Sequence, residues 1–366
     1  MLSPTDRFSL ASDLSDPIVS PVRARRQGVT IDCDLTDGKT WRAPVAVKAR
    51  DLWELWRLFV VQGALAWATP VRLWPKIASR WGGIDASFHP QRTRKRIAQL
   101  EPLVNGQPGL PSAAQIERGV LAGQVEERLH YLRAHRPGGF EPPIRIHGAA
   151  HVQIARAANK GLLFWGSSFA FNDLIAKIAL HRLDLNVFHY TRPVHGLSDT
   201  RFGIRVLNPV RTSIECAYLG ARVSGEENIS GAMQVLKDHL ASGGAVSIKT
   251  GNRGRRRASA AFFGGRLELA TGTITLANRW GASLLPTFTL RRPDGSFDFI
   301  IGAALESSAE NEEQRASDIV QQYADQIAPL VQAEPLQWRG WRFMIPAMDA
   351  EMPKNQAIAQ SSATVR

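Results

Sequence analysis

The stretch Lys160-Gly161-Leu162-Leu163-Phe164-Trp165-Gly166-Ser167-Ser168-Phe169-Ala170-Phe171-Asn172-Asp173 decides the fold. Lys160-Gly161 closes a helical pattern that covers about residues 149–159. Leu162 to Trp165 is then a run of four apolar residues, too short for a helix and bounded by glycines. Such a run reads as a strand buried on both faces. Gly166-Ser167-Ser168 turns the chain, and a second helical pattern follows from about residue 171 to 182. Strand, turn and helix in this order form one α/β unit, with polar side chains concentrated where the strand gives way to the helix.

The same alternation continues downstream. Asn186 to Tyr190 predicts a second strand, residues 229–241 a helix ended by Gly243-Gly244, and Ala245 to Ile248 a third strand. Residues 271–280 predict a helix that Thr271 would cap, Ser283 to Leu290 and 297–301 two further strands, and 312–332 a long closing helix. Apolar strands separated by helices give an α/β fold, a mostly parallel central sheet flanked by helices. Upstream, Ile116, Val120, Val125, Leu129 and Leu132 predict a helix over 113–135, which Pro137-Gly138-Gly139 terminates.

Residues 51–81 have a different character. Leu52, Leu55, Trp56, Phe59, Val60, Gly63 and Trp67 recur at helical spacing up to Pro70, and Arg72, Lys76 and Arg80 follow. Five of the ten tryptophans lie between Trp53 and Trp81. Tryptophan and cations beside an apolar face suit a helix lying in a membrane interface; a helix packed on the core fits the same local pattern. The uncharged run Leu58–Val71 has 14 residues, short of the roughly 20 that span a bilayer. The N-terminus carries early acidic residues and no apolar core, unlike a secretory signal. The expected organisation is an N-terminal arm with a hairpin over 1–50, a helical membrane-interface region over 51–135, an α/β domain over 136–345 and a flexible tail over 346–366.

In order along the chain, several blocks resemble the lauroyl/myristoyl acyltransferases of lipid A biosynthesis, within the wider lysophospholipid acyltransferase superfamily. They are the opening stretch through Asp173; Tyr190-Thr191-Arg192-Pro193; Gly251-Asn252-Arg253-Gly254 with Ala261-Phe262-Phe263-Gly264-Gly265; Ala270-Thr271-Gly272 with Gly281 to Pro286; and Pro335-Leu336-Gln337-Trp338 through Trp341-Arg342. The resemblance implies a glycerolipid acyltransferase-like fold and transfer of a fatty acyl chain from acyl carrier protein or acyl-coenzyme A to a lipid or glycolipid. It also implies a peripheral position on the cytoplasmic face of the bacterial inner membrane, and no metal or cofactor. Asp173 matches the acid of the family's His-x-x-x-x-Asp/Glu box, but Ser168 stands where the histidine belongs. By the same resemblance the Gly251–Gly265 segment, with Asn252, Arg253 and Gly254, would hold the acceptor head group, and Arg192 is a candidate phosphate or carboxylate binder because arginine's fork suits either anion.

Acyl transfer needs a base for the acceptor hydroxyl and donors for the oxyanion. A serine hydroxyl is no comparable base. Three readings follow. Another histidine substitutes, from among His147, His151, His189 and His195. Alternatively Ser168 is an acylated nucleophile, although no Gly-x-Ser-x-Gly elbow surrounds it. In the third, the chain has lost transferase activity and binds lipid or regulates a partner; this is the main competitor to an active enzyme.

Composition agrees with an anionic partner. The formal net charge is +12 over 366 residues and the pI about 10.3, which suits an acidic carrier protein or an anionic bilayer. Nucleic acid is disfavoured, because no zinc spacing, RNP-like aromatic pattern or helix-turn-helix accompanies the charge. Cys33 and Cys216 are in no metal-ligand spacing and suggest a reducing compartment.

Overall fold

The computed structural model of the chain describes residues 32–33, 45–191, 196–224 and 229–346. The chain enters through a two-residue strand, β1 (Asp32–Cys33); the rest of the expected 28–50 hairpin lies outside the described residues up to residue 44. Helix α1 (Ala49–Leu55) runs through a π-helical stretch, Trp56–Gln62, into α2 (Gly63–Ala68). Thr69 leaves helical geometry ahead of Pro70, and its hydroxyl closes the last turn on the Leu65 carbonyl at 2.6 Å. A 3₁₀ turn, Val71–Leu73, then leads into α3 (Trp74–Phe88), α4 (Pro90–Val104) and α5 (Ala113–Ala134). Ser112 and Gln115 form a reciprocal capping box at the start of α5.

The α/β portion follows: β2 (Ile144–His147), α6 (Ala149–Ala157), β3 (Leu162–Gly166), α7 (Asn172–Arg182) and β4 (Val187–Thr191). Next come α8 (Pro209–Cys216), β5 (Ala221–Ser224), α9 (Ile229–Ala241) and β6 (Ala245–Lys249). A hairpin, β7 (Arg257–Phe262) and β8 (Gly265–Ala270), precedes α10 (Gly272–Trp280). The chain ends its described part with β9 (Ser283–Arg291), β10 (Phe297–Ile301), α11 (Glu312–Ala333) and β11 (Met344–Pro346).

The main sheet has the order β1-β5-β4-β6-β3-β9-β10-β2, and every pairing is parallel except β9 with β10. A small antiparallel sheet, β11-β8-β7, lies apart from it. The expected α/β class with a mostly parallel, helix-flanked sheet is what the chain forms. Thr271 occupies the cap position of α10 but makes no side-chain cap bond; its αR backbone does not present the hydroxyl to the first-turn amides as an extended cap residue does.

Alternation along the strands sorts two cores. Leu163, Trp165, Val246 and Ile248 face one side, where they meet Leu236 of α9, Ile274 of α10 and Ile327 of α11. Leu162, Phe164, Val187 and Leu285 face the other side, against Leu174, Ile175 and Ile178 of α7. The connection leaving β3 therefore goes to the α7 face, and the connection leaving its neighbour β6 leads to the hairpin on the opposite face. Adjacent parallel strands whose exits diverge open a crevice at their carboxyl ends, the usual ligand position in open α/β sheets.

The N-terminal helix is turned inside out. Asp51, Glu54, Arg57 and Gln62 are buried, while Leu52, Trp53, Trp56, Phe59, Val60 and Trp67 are exposed. Of the two readings of residues 51–81, core packing of the apolar face does not describe this helix. The polar side is anchored instead. Asp51 accepts bonds from Ser198 Oγ at 2.6 Å, Thr200 Oγ1 at 2.7 Å and the Lys48 amide at 2.8 Å. Burial opposes ionisation of Asp51, but these donors outweigh it and hold its pKa below the usual carboxylate value. Glu54 pairs with Arg57 one turn on, and Leu58 and Ala66 pack with Trp74, Leu129 and Leu132.

Candidate functional site

At the β3/β6 crevice the backbone brings a recess of roughly 350 Å³, its open mouth included, between α7 and the sheet; it is lined by Asp173, Lys177, His189, Ser247, Lys249 and Thr287, with Phe164, Ala176, Leu180 and Ile248 as apolar wall. The strand pleat accounts for three of these. His189 and Ser247 are register partners on β4 and β6, and Lys249 lies two residues beyond Ser247, so all three share the α7 face. Ser247 Oγ and His189 Nδ1 are 2.7 Å apart.

Asp173, in the first turn of α7, is the centre of a buried ionic cluster. Its Oδ2 accepts from Lys249 Nζ at 2.6 Å and from Arg211 of α8 at 2.5 Å. Arg211 also binds Glu215 four residues on at 2.7 Å. Glu215 in turn pairs with Lys177 at 3.1 Å and accepts from the Tyr131 hydroxyl at 2.5 Å. Lys177, one turn after Asp173, donates to the Asp173 carbonyl at 2.7 Å. Burial alone would raise the Asp173 pKa, but Lys249, Arg211 and Lys177 overcome it and hold the carboxyl well below its ordinary range. Burial, helped by Arg211 and Arg339, presses the Lys249 ammonium below its ordinary value against the pull of Asp173. Asp173 is thus an anion held by two cations, Lys249 and Arg211.

Ser168 lies just above β3 but is not among the residues lining the recess. It is buried at 2% exposure; its Oγ lies 3.4 Å from Thr250 Oγ1, and its carbonyl accepts the Arg339 amide at 2.9 Å. Asp173 and Ser168 therefore flank the same crevice with different partners. Asn252, Arg253 and Gly254 lie in the loop after β6, with Arg253 and Gly254 exposed, and none of them lines the recess. Arg253 does approach a second basic group: partial desolvation, then Arg339, Arg253 and Arg96, push Arg342 below its ordinary pKa, with Asp173 opposing. Arg256 and Arg257 of the arginine run make exposed pairs with Glu312 and Glu268, both at 2.7 Å. Arg192 and His195 lie outside the described residues. His147 sits at the far edge of the sheet, 3.4 Å from Asp298, and His151 is on α6; among the described candidate imidazoles, His189 alone lines the recess.

Residues 217–341 match the family described as bacterial lipid A biosynthesis acyltransferase. That span is about a third of the chain. No curated protein sequence matches it. The matched span includes Lys249, Thr250, Arg253 and Arg339 but begins after Asp173, His189 and Arg211.

Several members of the site escaped reading from sequence. Lys249 ends an otherwise apolar strand, and a cation at the carboxyl end of a buried strand was the available signal. Arg211 and Glu215 form an i,i+4 pair that reads as an ordinary solvated helix face; nothing local says that the helix turns this pair inward. Lys177 stands four residues after Asp173, but its head group goes to Glu215 of another helix, not to the Asp173 carboxylate.

Proposed function

We propose that this chain transfers a fatty acyl group from acyl carrier protein or acyl-coenzyme A to a lipid or glycolipid acceptor at the cytoplasmic surface of the inner membrane. The observation that supports it most is the position of Asp173. The acid of the family's box lines a recess at the sheet's crevice and ties down Lys249, a cation lining that recess. A fixed ammonium beside an apolar-walled recess suits a thioester carbonyl that becomes an oxyanion. The cations Arg253 and Arg342 near the same end of the sheet suit an anionic head group or carrier.

The exposed face of α1 and α2 supports attachment to the membrane. Among the described residues no helix is long and apolar enough to cross a bilayer. A helix that buries its charges and presents tryptophan, leucine and phenylalanine outward, next to exposed Arg50, Arg72 and Lys76, has the makeup of one lying in the headgroup region of anionic lipid. The test of the function is the lipid profile, by mass spectrometry, of a deletion strain complemented with the wild-type chain, Asp173→Ala or Asp173→Asn. An acylated lipid restored by the wild type and by neither variant supports transfer at this recess. Equal restoration by all three would remove Asp173 from the chemistry.

A second reading, a catalytically silent member that binds lipid, draws on the saturated partners of Asp173 and the missing box imidazole. Ser168→His separates the two: lipid product that appears only in this variant supports silence, and product already made by the wild type refutes it.

A further inference from the structure

We propose that His189 is the general base of this recess, positioned by Ser247, so that the imidazole absent from the box at Ser168 is supplied from β4 instead. The inference rests on the acyltransferase reading and adds a named residue to it. Three observations converge on it. The β4–β6 register places His189 directly beside Ser247, and the 2.7 Å contact of Ser247 Oγ with Nδ1 fixes the ring about one nitrogen. The contact orients the ring, and the base role requires the tautomer in which Nδ1–H donates to Ser247 Oγ and Nε2 takes up the proton. His189 also shares the recess with Asp173 and Lys249, which places a base, a cation and the cation's holder around one volume. Ser168, by contrast, is buried against Thr250, and Asp173 is already committed to two cations.

The step balances with these groups. The acceptor hydroxyl oxygen attacks the thioester carbonyl carbon and gives its proton to the His189 imidazole. The carbonyl electrons move to oxygen, where the Lys249 ammonium faces the developing charge. Collapse of the tetrahedral intermediate breaks the carbon–sulfur bond, and the departing thiolate takes the proton back from the imidazolium. An ester and a free thiol result, and the enzyme returns to its starting state.

The test uses the purified full-length chain, dodecanoyl-coenzyme A as donor and lipid extracted from the deletion strain as acceptor. His189→Ala should lower kcat by about 10²–10⁴, with little change in KM, and added imidazole should restore part of the loss. His189→Gln, closer in shape, should be as inactive while keeping the wild-type melting profile. Ser247→Ala should cost about tenfold or less and shift the acid limb of the pH–rate profile, the mark of a positioning residue. Retained turnover in folded His189→Gln overturns the assignment. So does a dodecanoyl adduct on Ser247 seen by peptide mass spectrometry, which would make the pair a nucleophile and its base. If Asp173→Asn abolishes product while His189→Gln does not, the acyltransferase reading survives and this inference fails. If the wild type itself makes no acylated product, the reading beneath it fails.

Discussion

The outward tryptophans give the prediction whose size follows most directly from the structure. Trp53 and Trp56 are 54% and 46% exposed and stack on each other with ring centroids 5.1 Å apart. A tryptophan offers at most about 250 Å² for burial, so roughly 100 Å² of each remains outside the fold. At about 25 cal/mol per Å², complete immersion would be worth about 2.5 kcal/mol per ring. A ring at the headgroup boundary is only partly immersed, which leaves roughly 2–3 kcal/mol for the pair, or about 30- to 150-fold in partitioning. The double variant Trp53→Ser, Trp56→Ser should lose that factor in sedimentation with vesicles of mixed neutral and anionic lipid. Its unfolding midpoint should hardly move, within about 0.5 kcal/mol, because neither ring is spent on the core. The loss should persist at high salt, whereas the share due to Arg72, Lys76 and Arg80 should be screened. Unchanged partitioning of the folded double variant would refute the membrane-facing role of this helix. A large loss of stability would show that the face has a protein partner instead.

Three further predictions concern the buried polar groups. Lys177→Ala leaves Glu215, fully buried at 0% exposure, without its 3.1 Å partner, and should destabilise the fold by about 3–5 kcal/mol in urea titration; a change under about 1 kcal/mol would show that Arg211 and Tyr131 suffice. Asp51→Ala removes three hydrogen bonds and should cost about 1–3 kcal/mol, with faster limited proteolysis over residues 45–70; because the folded pKa of Asp51 lies below its unfolded value, that stabilisation should be complete above the ordinary carboxylate pKa and fade as pH falls through the lowered one. His130, ringed by Trp74 at 4.9 Å and Phe297 at 5.3 Å, is lowered by burial and then by Arg291 to about 3. The unfolded chain protonates near pH ~6.5 and the folded one does not, so stability should decline by about 1.4 kcal/mol for each pH unit below that point; His130→Phe should flatten this slope, and an unchanged slope would refute the neutral buried ring.

How much could be read beforehand depended on whether the cause was local. β3, β6, β9 and β10 announce themselves as short apolar runs between glycines, helices and turns, and the structure places them within a residue or so of the expected ends. α11 carries its own start signal, Asn311 accepting from the Glu313 and Gln314 amides. By contrast β2 and β5, of four residues each, are short and each carries an arginine, Arg145 or Arg222, that interrupts the apolar run, and α4 was hidden by its cations. β7 and β8 were legible only as a motif, because the Phe263-Gly264 turn that joins them needs a positive φ at Phe263, where a bulky residue is unusual. For the site, Asp173 was visible through its match to the acid of the family's box. The crevice was not, since it depends on β6 inserting between β3 and β4, a long-range pairing that no window of sequence contains.

On the acyltransferase reading proposed above, the charge placed around the crevice offers the site a means of stabilising an anion without the box imidazole. Among the described residues, Asp173 and Glu215 are set against Lys177, Arg211 and Lys249, two carboxylates against three cations, so these five groups sum to one positive charge in excess. Arg339, the next cation along, is already matched to Glu127 at 2.9 Å. Lys249 is the member of the cluster with the most exposed side chain, at 31%, and it lines the recess; the excess is therefore presented where a ligand would enter. Burying a net charge is unfavourable until an anion meets it, so the resting protein carries an electrostatic imbalance that a phosphate, a carboxylate or an oxyanion would relieve. Structural pairing alone would be better served by equal numbers. An imbalance directed into a recess is what a site for developing negative charge requires, and Asp173 keeps that charge in position by holding two of its cations at once.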